Sequence, residues 1–417
     1  MFFIFGFVSW VNSILIPYFK IACELTNFQS YLVAFAFYIA YFVMSMPAGI
    51  LLKKTGFKRG IMYGFFALAI GALIFVPAAM TRTYHVFLVG LFSMGTGLAV
   101  LQTAANPLVT IIGSIDSAAQ RMSIMGVCNK LAGIISPLVF AAVILEATDK
   151  ELFAAIPTMS EAEKTVALDE LIRRVITPYA CLSVLLVTIG IFIRYSSLPE
   201  INTEDENEET QQAHAGKKYV IQFPYLVLGA VAIFLHVGTQ VIAIDTIIGY
   251  AQSMGLDLIT AKYFPSFTLT ATIIGYVSGI ILIPAFISQV NALRICTILG
   301  MIFSCCILLV PGSMMFRGYE MGISIWFVAL LGLPNALIYA GIWPLAIHHL
   351  GRFTKTGSSI LIMGLSGNAV LPLIYGYLAD AVGTRMAYSA LIPCFFYLVF
   401  YAVYGHKITS WTGRGLK

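Results

Sequence analysis

"SSLPEINTEDENEETQQAHAGKK" runs from Ser196 to Lys218 and is the longest clearly polar stretch of the chain. It is rich in acid and glutamine and poor in groups that could build a core, so it reads as a flexible linker. What it separates decides the fold. Before it, apolar runs of span length fall near 1–19, 30–52, 60–80, 86–112, 121–145 and 175–195. After it they fall near 222–250, 260–286, 292–311, 322–347, 356–379 and 386–405. A bilayer is crossed by about 20 apolar residues in a helix. The pattern predicts an all-α membrane protein of twelve transmembrane helices in two six-helix bundles with internal pseudo-symmetry, 1–196 and 222–417, joined by a linker over 197–221. Composition agrees: 59% of the 417 residues are hydrophobic and 10% charged, against about 25% charged in soluble domains.

The chain opens directly on "MFFIFGFVSWVNSILIPYF". A secretory signal has a basic start and a small-residue cleavage site; neither is present, so this is the first span. The lack of a polar tail before it is consistent with a trimmed start. A second polar insert, about 146–174, reads as an amphipathic loop between spans 5 and 6. Counting loops alternately, Lys53, Lys54, Lys58, Arg59, Lys217, Lys218, Arg352, Lys355 and Lys407 all fall on one side. The opposite side has fewer basic residues, several of them inside the long insert. By the positive-inside rule the first side is cytoplasmic, and an even span count puts both termini there.

Several function classes are disfavoured. No Lys/Arg stripe interleaved with aromatics suggests nucleic acid. The seven cysteines show no paired or metal-ligand spacing and read as small core hydrophobes. No nucleophile elbow or His-Glu-x-x-His helix points to an enzyme. No cofactor is expected, and the partners expected are a small-molecule substrate and lipid around a monomer.

The halves echo each other locally. Span 5 carries "SIMGVCN" (Ser123–Asn129) and span 11 "LIMGLSGN" (Leu361–Asn368), as internal repeats of transporters do. Spans, linker and repeat resemble the major facilitator superfamily. Between spans 2 and 3, "GILLKKTGFKRG" (Gly49–Gly60) is similar to its glycine-and-basic loop, with Lys53 where an acid is usual. "NSILIPYF" (Asn12–Phe19), "LTNFQS" (Leu25–Ser30), "LQTAANPLVTIIG" (Leu101–Gly113) and "GYLADAVG" (Gly376–Gly383) resemble the fucose permease family of sugar–cation symporters. "GVCNKLAG" and "VGTQVIAIDTI" (Val237–Ile247) look more like its glucose/galactose and N-acetylglucosamine branch. The resemblance implies import of a neutral monosaccharide by alternating access, coupled to a cation, sodium or proton. It also exposes a departure: that family has an aspartate where this chain has Ser13 and a glutamate where it has Gln102. Plain facilitation, or transport of another solute such as a muropeptide or an anionic sugar derivative, is the alternative.

Polar groups inside a bilayer face a neighbouring helix or a watery cavity. Gln102 and Asn106 are four apart and share a face of span 4. An amide both donates and accepts, which suits sugar hydroxyls; helix–helix hydrogen bonding is the plainer role. Asn129 lies on the Gly126–Gly133 face of span 5. Gln240 on span 7, Asn335 on span 10 and Asn368 on span 11 join the substrate-binding candidates. Trp343 and Tyr38 are candidate platforms for the apolar face of a sugar ring, an interfacial belt position being the other reading of Trp343. Lys130 sits at mid-span, roughly 15 Å from either end at 1.5 Å per residue, too far to snorkel readily. Asp245 is the one carboxylate deep in a span. Lys130 and Asp245 are therefore the cation-coupling candidates and are expected to pair.

Overall fold

The computed structural model describes residues 1–25, 27–144, 146, 149, 152, 155–196, 217, 219–256, 261, 263–316 and 318–411. Among the described residues, ten helical stretches are long and apolar enough to cross a membrane. One of them, within α2 (Asn27–Met80), is too long for a single crossing and breaks at Gly56, where φ is 78°. That backbone is open only to glycine at no steric cost, so spans 2 and 3 are separated by one residue in the middle of the basic stretch. With α1 (Phe2–Ala22) counted as well, the described residues accommodate the twelve crossings.

By packing, the chain forms two compact units. The first comprises Met1–Ala105 and Cys128–Ile201. It holds α1, α2, most of α3 (Tyr84–Ile111), the later part of α4 (Ala118–Ile144), α5 (Glu161–Arg173) and α6 (Ile176–Tyr195). Its core is aromatic: Phe75 stacks on Tyr179 at 4.1 Å and 7°, and Phe19 and Phe87 close the group. α1 approaches α4 so closely that a Cβ on Gly6 would overlap the carbonyl oxygen of Asn129, the small-residue contact that lets membrane helices meet backbone to backbone.

The insert between spans 5 and 6 contains a short soluble-type helix. Ser160 and Glu163 make a capping box at the start of α5, a reciprocal bond that stops the first turn from fraying. Leu168, Leu171 and Ile172 are its buried face. Ion pairs hold the polar face: Lys164 to Glu24, and Arg82 to Asp169 at 3.2 Å. Arg174 adds two bonds to buried Asp149, at 2.8 and 2.9 Å.

The second unit comprises Asn106–Val127 and Asn202–Lys417. Its crossings are built from α7 (Pro224–Asp245), α8 (Ile247–Ser253), α9 (Phe264–Leu282), α10 (Gln289–Leu309), α11 (Ser324–Leu330), α12 (Gly332–Ile347), α13 (Thr354–Met363) and α14 (Gly367–Val382), completed by α15 (Thr384–Ala387) and α16 (Leu391–Val403). A hairpin of β1 (Ser313–Phe316) and β2 (Tyr319–Gly322), paired antiparallel, links α10 to α11. Phe316 pins the hairpin to Phe264, Phe267 and Trp326, with ring centroids 5.5–6.3 Å from its own.

The turn between α3 and α4 belongs to this unit and is fixed by Arg121. Its guanidinium donates to the carbonyls of Val109, Thr110 and Ser114 at 2.8–2.9 Å, capping the exposed end of α3 as a cation at a helix C-terminus does. Gln120 donates to the Ile280 carbonyl at 2.6 Å, and Gln289 accepts from the Ala119 amide at 3.3 Å.

Candidate functional site

In the first unit an amide sits among tyrosines. Gln102 Nε2 donates to Tyr41 OH at 3.0 Å. Tyr41 lies nearly parallel to Tyr38, centroids 6.4 Å apart at 24°. Tyr38 and Gln102 are both half-buried. The side chain of Ser13, where the resemblance implies a carboxylate, lies outside the described residues. Asn129 is also half-buried, with Nδ2 only 3.5 Å from the Phe2 carbonyl, at the outer limit of a useful bond. The glycines flanking it serve helix packing: the Cβ missing from Gly133 leaves room for the Trp10 indole.

Lys130 is 6% exposed. Its Nζ lies over the Trp10 ring, 5.0 Å from the centroid. The deep lysine thus has an aromatic neighbour on α1, a contact that its helical position alone did not disclose. A cation over an indole face gains up to about 2 kcal/mol when desolvated, which offsets much of the roughly 3 kcal/mol that a lysine costs at mid-bilayer on insertion scales.

In the second unit Asn335, Tyr339 and Trp343 recur at i, i+4 and i+8 on α12, one stripe of the helix. Tyr339 and Trp343 rings lie 5.8 Å apart at 34°. Asn106 Nδ2 donates to Tyr339 OH at 2.8 Å. Around this stripe, buried polar atoms lack hydrogen-bond partners among the described residues: both amide atoms of Asn335, Asn106 Oδ1 and Trp343 Nε1. Trp343 is completely buried, which sets aside an interfacial position for it. Asn368 on α14 is half-buried, with Oδ1 enclosed and likewise without a partner among the described residues. Buried polar groups are nearly always satisfied, by protein or by water. Open valences of this kind are ones that water or a bound hydroxyl group satisfies.

Gln240 is half-buried on α7, and Asp245 is exposed at its last position. There the span is interrupted. Thr246 bonds back to the Ile242 carbonyl at 2.7 Å and meets Tyr388 OH at 2.9 Å. The break presents the carboxylate at a helix end instead of along an unbroken apolar wall. Lys130 belongs to the first unit and Asp245 to the second. No group of three or more His, Cys, Asp or Glu side chains suited to a metal occurs among the described residues.

Three residues of these clusters escaped sequence reasoning: Trp10, Tyr41 and Tyr339. Tyr339 had a signal, since it stands four residues from both Asn335 and Trp343. Trp10 had none, because its role comes from a contact between separate helices.

Helices that cross a membrane in two compact units, each with amide–aromatic clusters inside, define a solute carrier. The chain belongs to the Major Facilitator Superfamily, whose family model matches residues 1–366. It is 33% identical over 412 residues to the glucose/galactose transporter of Brucella abortus, covering 98% of this chain and 92% of that one. It is 30% identical over 404 residues to the L-fucose-proton symporter of Escherichia coli, covering 96% and 90%. The crystal structure of the major facilitator superfamily transporter FucP in the outward conformation matches with a TM-score of 0.81 at 28% identity, covering 96% of this chain and 95% of that chain. The chain is thus a multi-pass membrane protein with the major facilitator fold.

Proposed function

We propose that this protein imports a neutral monosaccharide of the glucose/galactose type together with a proton, by alternating access between bundles 1–196 and 222–417. The observation that carries the reading is the buried stripe Asn335–Tyr339–Trp343, whose amide and indole groups lack partners among the described residues beside an aromatic surface. Sugars offer the matching chemistry: hydroxyls for the amides and a C–H face for the rings. Gln102, Asn106, Asn129, Gln240, Asn368 and Tyr38 supply further contacts.

Of the relatives described above, one is named a glucose/galactose transporter and the other an L-fucose-proton symporter, which favours a proton over sodium as the coupling ion. Gln102 and Tyr41 form a neutral pair, so the proton site falls to Asp245, with Lys130 as its electrostatic counterpart. The protein works as a monomer in a bacterial inner membrane with both termini cytoplasmic. The positive charge of Lys130 favours, as a second reading, a sugar derivative that carries an anionic group.

Proteoliposomes with a sugar panel test the proposal. Counterflow of glucose or galactose, and accumulation driven by an inward proton gradient, are expected. Accumulation by a sodium gradient alone, or no monosaccharide counterflow, would refute it. Asp245→Asn should keep counterflow and lose proton-driven accumulation; retention of both would remove Asp245 from coupling.

A further inference from the structure

Three separate segments meet at one end of the second unit. Trp411 Nε1 donates to the Ile221 carbonyl at 2.9 Å, and the Tyr225 amide to the Ile408 carbonyl at 3.2 Å. Lys217 Nζ donates to the Thr409 carbonyl at 3.1 Å and lies 4.1 Å from the Phe223 ring centroid. Arg352 reaches the Lys217 carbonyl at 3.4 Å, and Phe353 packs on Phe223 with centroids 5.5 Å apart. Each segment adjoins a helix end: the start of α7, the start of α13 and the exit of α16. The clasp therefore lies at the depth where the apolar part of each crossing stops.

Two properties of this clasp are unusual together. Its segments, 217–225, 348–356 and 404–411, contain no aspartate or glutamate but do contain Lys217, Lys218, Arg352, Lys355 and Lys407. At the same place large apolar and aromatic side chains are left open: Tyr219 is 67% exposed, Ile221 61%, Tyr404 61% and Trp411 58%. A soluble surface does not combine these, whereas an interface with anionic lipid calls for both. Exposed rings settle at the headgroup level, and each Lys or Arg near an anionic leaflet contributes about 1 kcal/mol of attraction.

We infer that the clasp of Lys217, 219–223, 351–353 and 407–411 is a binding surface for anionic phospholipid, with headgroup phosphate held among Lys217, Arg352 and Lys407 and acyl chain lying along Tyr219, Ile221 and Trp411. The same surface ties the end of the linker to the C-terminal segment, so lipid would fasten both to the second unit. The inference stands apart from the choice of sugar or coupling ion.

The test uses the full chain in phosphatidylcholine nanodiscs with graded phosphatidylglycerol, and counts phosphatidylglycerol molecules retained after extraction by mass spectrometry. The parent should retain phosphatidylglycerol in preference to phosphatidylcholine. The triple variant Lys217→Gln, Arg352→Gln, Lys407→Gln should lose that preference. The charge-preserving triple Lys217→Arg, Arg352→Lys, Lys407→Arg should keep it, which separates charge from misfolding. Equal retention in the parent and the glutamine variant would overturn the proposal. So would full competition by soluble glycerol phosphate, which would assign the surface to a soluble anion. A third overturning result is a preference that appears only once Glu200, Glu204, Asp205, Glu206, Glu208 and Glu209 are changed to amides, because the chain's own acids would then be the occupant.

Discussion

Lys130 Nζ lies 5.0 Å from the centroid of the Trp10 ring, so the deep charge of α4 is carried against an aromatic face of α1. Beside this contact, Ser136 Oγ donates to the Phe7 carbonyl at 2.7 Å, and Gly6 meets the backbone of Asn129. The two helices are interlocked along their length. The ammonium is therefore part of a packed seam, and any motion of α1 past α4 during transport has to move it.

A double-mutant cycle measures the contact. Trp10→Leu and Lys130→Met should each lower stability, and the double variant should lose less than the sum. A coupling of about 1–2 kcal/mol is expected for a desolvated cation–π pair. Strict additivity in thermal or denaturant unfolding would mean that the ring and the ammonium do not interact energetically.

Gln102 offers a gain-of-function test. Its Nε2 donates to Tyr41 OH, a bond between neutral groups. Gln102→Glu keeps the shape and adds an ionisable group of ordinary pKa about 4.3. Tyr41 would then donate to the carboxylate. If this position faces the transport route, the dependence of counterflow on pH in the acid range should differ from that of the parent. Identical pH profiles for parent and variant would place Gln102 off the route.

The insert supplies a stability prediction. Asp149 is 3% exposed and accepts two bonds from Arg174. Asp149→Ala removes the main partner of a half-buried guanidinium that keeps Glu146 at 3.5 Å, and losing hydrogen bonds to a charged group costs about 1.5–3 kcal/mol. The unfolding midpoint should fall clearly. A change no larger than that of an exposed pair such as Lys164–Glu24 would show that water already reaches Arg174.

How far the sequence carried the fold follows from what each feature depends on. Crossings depend on the apolar content of consecutive residues, so they were readable, and the described helices start or stop within a few residues of the apolar runs; most of the expected linker, 197–216 and 218, lies outside the described residues. The insert read as amphipathic, and the Ser160–Glu163 signal of α5 is local as well. The break at Gly56 needed the backbone angle. The polar residues of the spans were readable as a set, because each is anomalous against its apolar neighbours. Their grouping was not. Gln102 and Asn106 share a helical face, yet the boundary between the two units falls between them. The aromatic neighbour of Lys130 is 120 residues earlier in the chain, and no periodicity encodes it.

Asn335 provides a test in which a binding role and a structural role predict opposite results. Both of its amide atoms are buried without a hydrogen-bond partner among the described residues, and a stranded polar group costs about 1–3 kcal/mol. Asn335→Leu replaces the amide by an apolar group of similar length. If the amide waits for a sugar hydroxyl, the sugar-free protein should be as stable as the parent or more so, because two unsatisfied atoms are gone. Sugar affinity should meanwhile fall about tenfold, the equivalent of 1.4 kcal/mol. If the amide instead holds α12 in place, stability should fall and affinity should stay. Thermal unfolding without sugar and calorimetric titration with glucose or galactose read the two outcomes separately. A stability loss with unchanged affinity would take Asn335 out of the site, leaving Tyr339 and Trp343 as the binding surface of that helix.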